Sequence, residues 1–317
     1  MGVRRGYAPC VRPIFRLQLT EVLCPGVTVG WVLYAIICRM TTSIAQTYLR
    51  RHIALPGEHG SWVFILSPLI IGLFAGGHWT VSSLPLVVAS MAAFLIRQPV
   101  TIAVKAYTKR RSPRDLPAAW LWIGVYGLIG LAAFALLAVQ GFAYLLILAL
   151  PGLPVFIWHL YLVSKRAERR QAGVEVVASG VLALAAPAAY WVAVGRSDPM
   201  GWWLFALTWM QSAASIVYAY LRLEQRELPS LPEVNARLRM GRRALMYTTF
   251  NLSWIIILSI FQVLPGLLPI PYLLQWAETL WGTLRPAIGV KPTSIGIRQL
   301  VVSTLFTLLF IVAWKIG

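Results

Sequence analysis

The sequence predicts an all-α, polytopic transmembrane helix bundle, and three observations carry that prediction. Hydrophobic residues make up 59% of 317 positions, and mean hydropathy is +0.72. Apolar runs of ~20 residues recur along the chain, each long enough to cross a ~30 Å hydrocarbon layer as a helix. The 28 Lys and Arg fall almost entirely in alternate gaps between those runs, as they do where cytoplasmic loops retain cations and short translocated loops lose them.

The predicted spans, with boundaries loose by a few residues, are 60–77, 81–96, 118–138, 141–163, 174–194, 201–221, 245–264, 265–284 and 298–316. Arg50 and Arg51 precede the first span. Further basic groups fill the second gap (Arg97 to Arg114), the fourth (Lys165 to Arg170), the sixth (Arg222 to Arg243) and the eighth (Arg285 to Arg298). Arg196 and Lys315 alone land on the other side. About nine spans therefore place the N-terminus in the cytoplasm and the C-terminus outside. Pro269 and Pro271 make the eighth span the candidate for a re-entrant segment.

Residues 1–39 read as an N-terminal extension ahead of a single transmembrane domain, 40–317. The apolar run from Val22 to Cys38 is short and holds Pro25 and Gly26. It would leave Arg4, Arg5, Arg12 and Arg16 on the wrong side. The three cysteines, Cys10, Cys24 and Cys38, all lie in this extension, so no disulfide framework or thiolate metal site is expected downstream.

The net charge of +18 comes from short clusters beside apolar spans. Topology and anionic headgroups account for it, and nucleic acid is not an expected partner. The expected partners are the lipid bilayer and an anionic or isoprenoid lipid. No Walker loop, dinucleotide fingerprint or G-x-S-x-G occurs. The four histidines lack H-x-x-x-H spacing, so neither a metal nor a cofactor is assigned.

Four places carry candidate ligand-binding residues. In LPGEHGSW (55–62) a Pro-Gly turn precedes Glu58 and His59, with Glu58 in the first turn of a helix, where its charge suits the positive end of the dipole. In RQPVTIAVK (97–105), Arg97, Thr101 and Lys105 are four apart and share a helix face, and Lys109 continues the stripe. A hydroxyl between cations suits a phosphate or lipid headgroup. Arg222 opens the third basic segment. Glu278 is an acid inside a span and hence a functional candidate, with Arg285 as its expected partner. Glu175, beside the Lys165–Arg170 cluster, is read as a local ion-pair residue, Arg170 being its nearest cation in sequence.

The segments LPGEHGSWVFILSPLIIGL (55–73), RQPVTIAVKAYTKRR (97–111), SIVYAYLRLEQR (215–226) and TLRPAIGVKPTSIGIRQL (283–300) resemble the YwiC-like family of bacterial integral membrane proteins. The resemblance implies a multi-pass inner-membrane protein of uncharacterised activity. The topology is also similar, more remotely, to the UbiA prenyltransferase fold. That family carries Asp-rich Mg²⁺ motifs where this chain has Arg97, Thr101 and Lys105, and the later loop offers only Glu224 and Glu227. The reading is thus of a protein binding an anionic or isoprenoid lipid at its cytoplasmic face. The alternatives are a UbiA-like lipid-modifying transferase, and a secondary transporter or respiratory-complex assembly subunit.

Overall fold

The computed structural model describes residues 48, 50–57, 59–167 and 171–317, with His59 and Gly60 described in backbone only. All of them lie in one compact unit, Thr47–Gly317. The extension expected at 1–39 lies outside the described residues, as does Glu58.

Among the described residues every regular element is helical. A single turn, α1 (Arg51–Ala54), leads through Pro56 and Gly57 into α2 (His59–Ala75). Then come α3 (Ser83–Tyr107), α4 (Leu116–Leu137), α5 (Ala149–Ser164), α6 (Ala172–Ala183) and α7 (Ala185–Val194). The chain closes with α8 (Met200–Gln225), α9 (Val234–Ile260), α10 (Pro269–Leu284) and α11 (Pro292–Ile316).

Among the described residues six stretches are long and apolar enough to cross a membrane: Ser83–Tyr107, Pro113–Ser164, Ala172–Val194, Met200–Gln225, Val234–Ile260 and Pro292–Ile316. The 52-residue stretch is two rods. Gly141, at φ 94°, breaks it within Ala138–Phe142, a conformation that glycine adopts without steric cost. The Arg110 guanidinium, just past α3, donates to the Val163 carbonyl near the end of α5. The second rod therefore returns to the end of the molecule where the first began. Outward-facing leucines on this hairpin, Leu128, Leu131 and Leu150, are more than 70% exposed, as lipid-facing side chains are in a bundle whose outer surface is apolar.

Several helices run past the apolar stretches that announce them. Span 81–96 becomes Ser83–Tyr107, so that RQPVTIAVK is helical, and span 245–264 becomes Val234–Ile260. Polar residues at the ends keep helical propensity after hydropathy has fallen. Span 265–284 shortens to Pro269–Leu284, about 24 Å of helix. Lys109 departs from the stripe expected of it: α3 ends at Tyr107, and Lys109 sits in the left-handed region at φ 55°.

The connections gather at two ends. At one, Gly289 N–H donates to the Arg226 carbonyl (3.2 Å) and Arg237 to the Leu284 carbonyl (2.6 Å). These join the basic segments around 226–237 and 285–291, and Arg110 with Val163 marks the same end. At the other end Gly317 N–H bonds Ala313 in the last turn of α11, and Gly317 lies against Gly266 and Leu267. Lys315 lies near Gly77 there.

Helix packing uses small residues, as membrane bundles do in the absence of a hydrophobic drive between helices. Gly72 of α2 lies so close to α7 that a Cβ would collide with the Ala186 carbonyl and the Ala189 methyl. Around this seam one core cluster gathers Leu69, Leu73, Leu184 and Trp191, and another joins Ile71, Ala186, Leu204 and Phe306.

Candidate functional site

A cavity of about 590 Å³ opens between α2, α3, α5, α6, α8 and α11 at the basic end. Arg97, Thr101 and Lys105 form one wall, because the four-residue step keeps them on one face of α3. Arg97 and Lys105 are half-buried. The Thr101 hydroxyl donates to the Arg97 carbonyl at 2.8 Å, so its oxygen presents lone pairs outward. Phe64, Phe94, Leu182 and Ile216 also line it. From Lys105 to Phe94 the wall is about 16 Å long at helical rise. Lys105 and Arg97 are about two turns apart along this wall and Phe94 is about one turn beyond Arg97, so basic and apolar groups share it.

Pro56, Gly57 and Ser61 also line the cavity. They flank Glu58, which is outside the described residues, and His59, the first residue of α2. The distinctive LPGEHGSW turn therefore borders the same space. Sequence reasoning did not place His159 and Glu175 in this site. Both line it, and Glu175 accepts from the Tyr220 hydroxyl at 2.7 Å. Arg170, the partner expected for Glu175, is outside the described residues.

Arg222 and Glu278 are not among the residues lining this cavity. Buried Arg222 donates from Nη1 to Gln225 Oε1 (2.9 Å) and to the Gly282 and Arg285 carbonyls (2.7 Å each). It meets the last carbonyls of α10, Gly282 being shared with the Gln225 amide (3.2 Å), where a cation also suits the helix dipole. The partner of Glu278 is Arg298 of α11, through both carboxylate oxygens at 2.7 Å, together with the Tyr218 hydroxyl at 2.8 Å. Arg285, the expected partner, contributes its carbonyl to Arg222 instead. Arg298 also lies 3.7 Å over the Trp281 ring, a cation–π contact that gives the guanidinium a second anchor.

Residues 55–190 match the family model of YwiC-like proteins. Over these residues the chain is similar to the YwiC-like family. The YwiC-like region spans α2 to α7 up to Tyr190 and supplies most of the cavity wall, Arg97, Thr101, Lys105, His159 and Glu175 included. Over 155 residues the chain is 28% identical to the uncharacterised protein YwiC of Bacillus subtilis (strain 168), covering 48% of this chain and 59% of that relative. The chain thus spans less than two thirds of the length of this YwiC protein. No solved structure gives a significant match.

Proposed function

We propose that the protein is a multi-pass protein of the bacterial inner membrane that holds an anionic or isoprenoid lipid by its headgroup, in the cavity at its cytoplasmic end. The observation that carries this reading is the placement of Arg97, Thr101 and Lys105 together on the wall of one 590 Å³ space that Phe64, Phe94 and Leu182 also line. An amphiphile matches that lining: its phosphate meets guanidinium and ammonium, and its first methylenes meet the rings and leucine. Charge-assisted hydrogen bonds to phosphate are the strong class, and Arg presents a planar fork to it. The orientation proposed is nine crossings, N-terminus inside and C-terminus outside. It is supported by the gathering of segments 109–114, 226–237 and 285–291 at the cavity end, with Arg196 and Lys315 elsewhere.

Native mass spectrometry from nanodiscs holding equal phosphatidylglycerol and phosphatidylcholine tests the reading. The intact protein should retain phosphatidylglycerol, and the double variant Arg97→Ala/Lys105→Ala should lose it while remaining folded. Adding an isoprenoid phosphate separates the two phosphate sources by which one displaces the other. Equal retention of both phospholipids, or unchanged retention in the double variant, contradicts the proposal.

A further inference from the structure

Next to the cavity, between α8, α10 and α11, lies a second, far smaller space of about 10 Å³, about what one water molecule needs. Its lining is polar at a depth where polar groups are costly: Gln211, Ser215, Tyr218, Gln275, Glu278 and Gln299 all face it. Gln211, Ser215 and Gln275 are each at least 95% buried.

One atom there is unsatisfied. The Gln275 amide donates from Nε2 to the Gln211 carbonyl (2.9 Å) and to Ser215 Oγ (3.0 Å). A carbonyl can only accept, so the amide orientation is settled and its oxygen faces the other way. That oxygen, Gln275 Oε1, is buried and has no hydrogen-bond partner among the described residues. Leaving it so costs about 1–3 kcal/mol. Ser215 Oγ accepts from both Gln211 Nε2 (3.1 Å) and Gln275 Nε2, which leaves its own hydrogen to be donated. The Tyr218 hydroxyl spends its hydrogen on Glu278 and keeps a lone pair.

We propose that this space binds a single water, which donates to Gln275 Oε1 and to the Tyr218 oxygen, accepts from Ser215, and so completes a hydrogen-bonded chain from the large cavity to Glu278. Ser215 and Gln299 border both spaces, so the chain begins at the cavity wall. A metal cation is the poorer occupant. Glu278 is the charged residue lining the space, and its carboxylate is already balanced by Arg298 through both oxygens, while Arg222 is held on the Gly282 and Arg285 carbonyls and Arg237 on the Leu284 carbonyl. The water site is independent of what the large cavity holds.

Brief radiolytic labelling of the full chain in detergent, in H₂¹⁸O and choline chloride, tests it, because radicals born at a bound water modify the side chain beside it. Tyr218 should gain ¹⁸O several-fold more than Tyr272, which is also buried but bonded to the Leu207 carbonyl. Gln275→Leu should abolish the excess, and Ser215→Ala should reduce it. Labelling of Tyr218 no greater than that of Tyr272 overturns the proposal without recourse to any variant. So does an excess that survives Gln275→Leu. Loss of the excess when sodium replaces choline would show a cation in the site and would equally overturn it.

Discussion

Arg298 clasps Glu278 with two parallel 2.7 Å hydrogen bonds that tie α11 to α10. The carboxylate side chain is 11% exposed and the guanidinium 44%, so the pair lies between a buried ion pair and a surface one. Exposed pairs contribute about 0–1 kcal/mol, and breaking a buried one costs about 3–5. Arg298→Met should therefore destabilise by about 2 kcal/mol, measured by unfolding in detergent. Most of that is the penalty on a stranded carboxylate, so adding Glu278→Gln should restore part of the loss. A double variant less stable than Arg298→Met would contradict this account.

Arg222 is a packing device for α10. Its Nη1 group reaches three acceptors at once, Gln225 Oε1 and the Gly282 and Arg285 carbonyls. A lysine ammonium carries three donors but cannot reproduce the planar fork. Arg222→Lys should lower stability by about 1–3 kcal/mol, the usual cost of leaving buried acceptors short of a donor. Phosphatidylglycerol retention by the folded fraction should be unchanged. Loss of lipid with unchanged stability would place Arg222 back among the ligand contacts.

At the basic end Asp115 accepts from Arg50 Nη1 (2.5 Å) and Arg111 Nε (2.7 Å), just ahead of α4. Burial works against the carboxylate charge, but the two guanidiniums together outweigh it and hold the carboxyl below its ordinary 3.8. A depressed folded value means stability that is present above the unfolded pKa and is lost as pH falls through the folded one. The stability difference between wild type and Asp115→Asn should be constant at neutral pH and shrink only below about 4, near the unfolded carboxylate value. A difference that shrinks between pH 8 and 6 would assign the dependence to another group.

Gly72→Ala tests the seam between α2 and α7. The added methyl meets the Ala186 carbonyl, which is backbone and cannot turn aside. Overpacking of this kind costs about 1–3 kcal/mol, readable as a lowered melting temperature. Gly57→Ala, with open space around the new Cβ, should serve as a near-neutral control.

The helices were legible because burial in lipid demands length and hydropathy together, and both are local properties of the chain. The stripe Arg97, Thr101, Lys105 was legible for the same reason: four residues is one helical turn, and one face of α3 meets one cavity. Glu278 stood out as an acid in an apolar run, but its partner could not be read. Arg285 is near it along α10, whereas Arg298 reaches it from α11, and interhelical neighbours leave no spacing in the sequence. His159 and Glu175 entered the site by the same tertiary route. The polar seam did carry a signal, in the four-residue steps Gln211–Ser215 and Gln275–Thr279–Thr283. Ser and Thr in spans so often bond back to their own helix, as Thr279 and Thr283 do, that the step alone does not announce a seam.

The most direct test of the headgroup site is photo-cross-linking of the intact protein in vesicles containing phosphatidylglycerol with a photoactivatable group near the glycerol. Adducts should concentrate on the peptides carrying Phe94 to Lys105 and Val174 to Leu182. Adducts spread over Leu128, Leu131 and Leu150 of the outer hairpin, with none on those cavity segments, would contradict it.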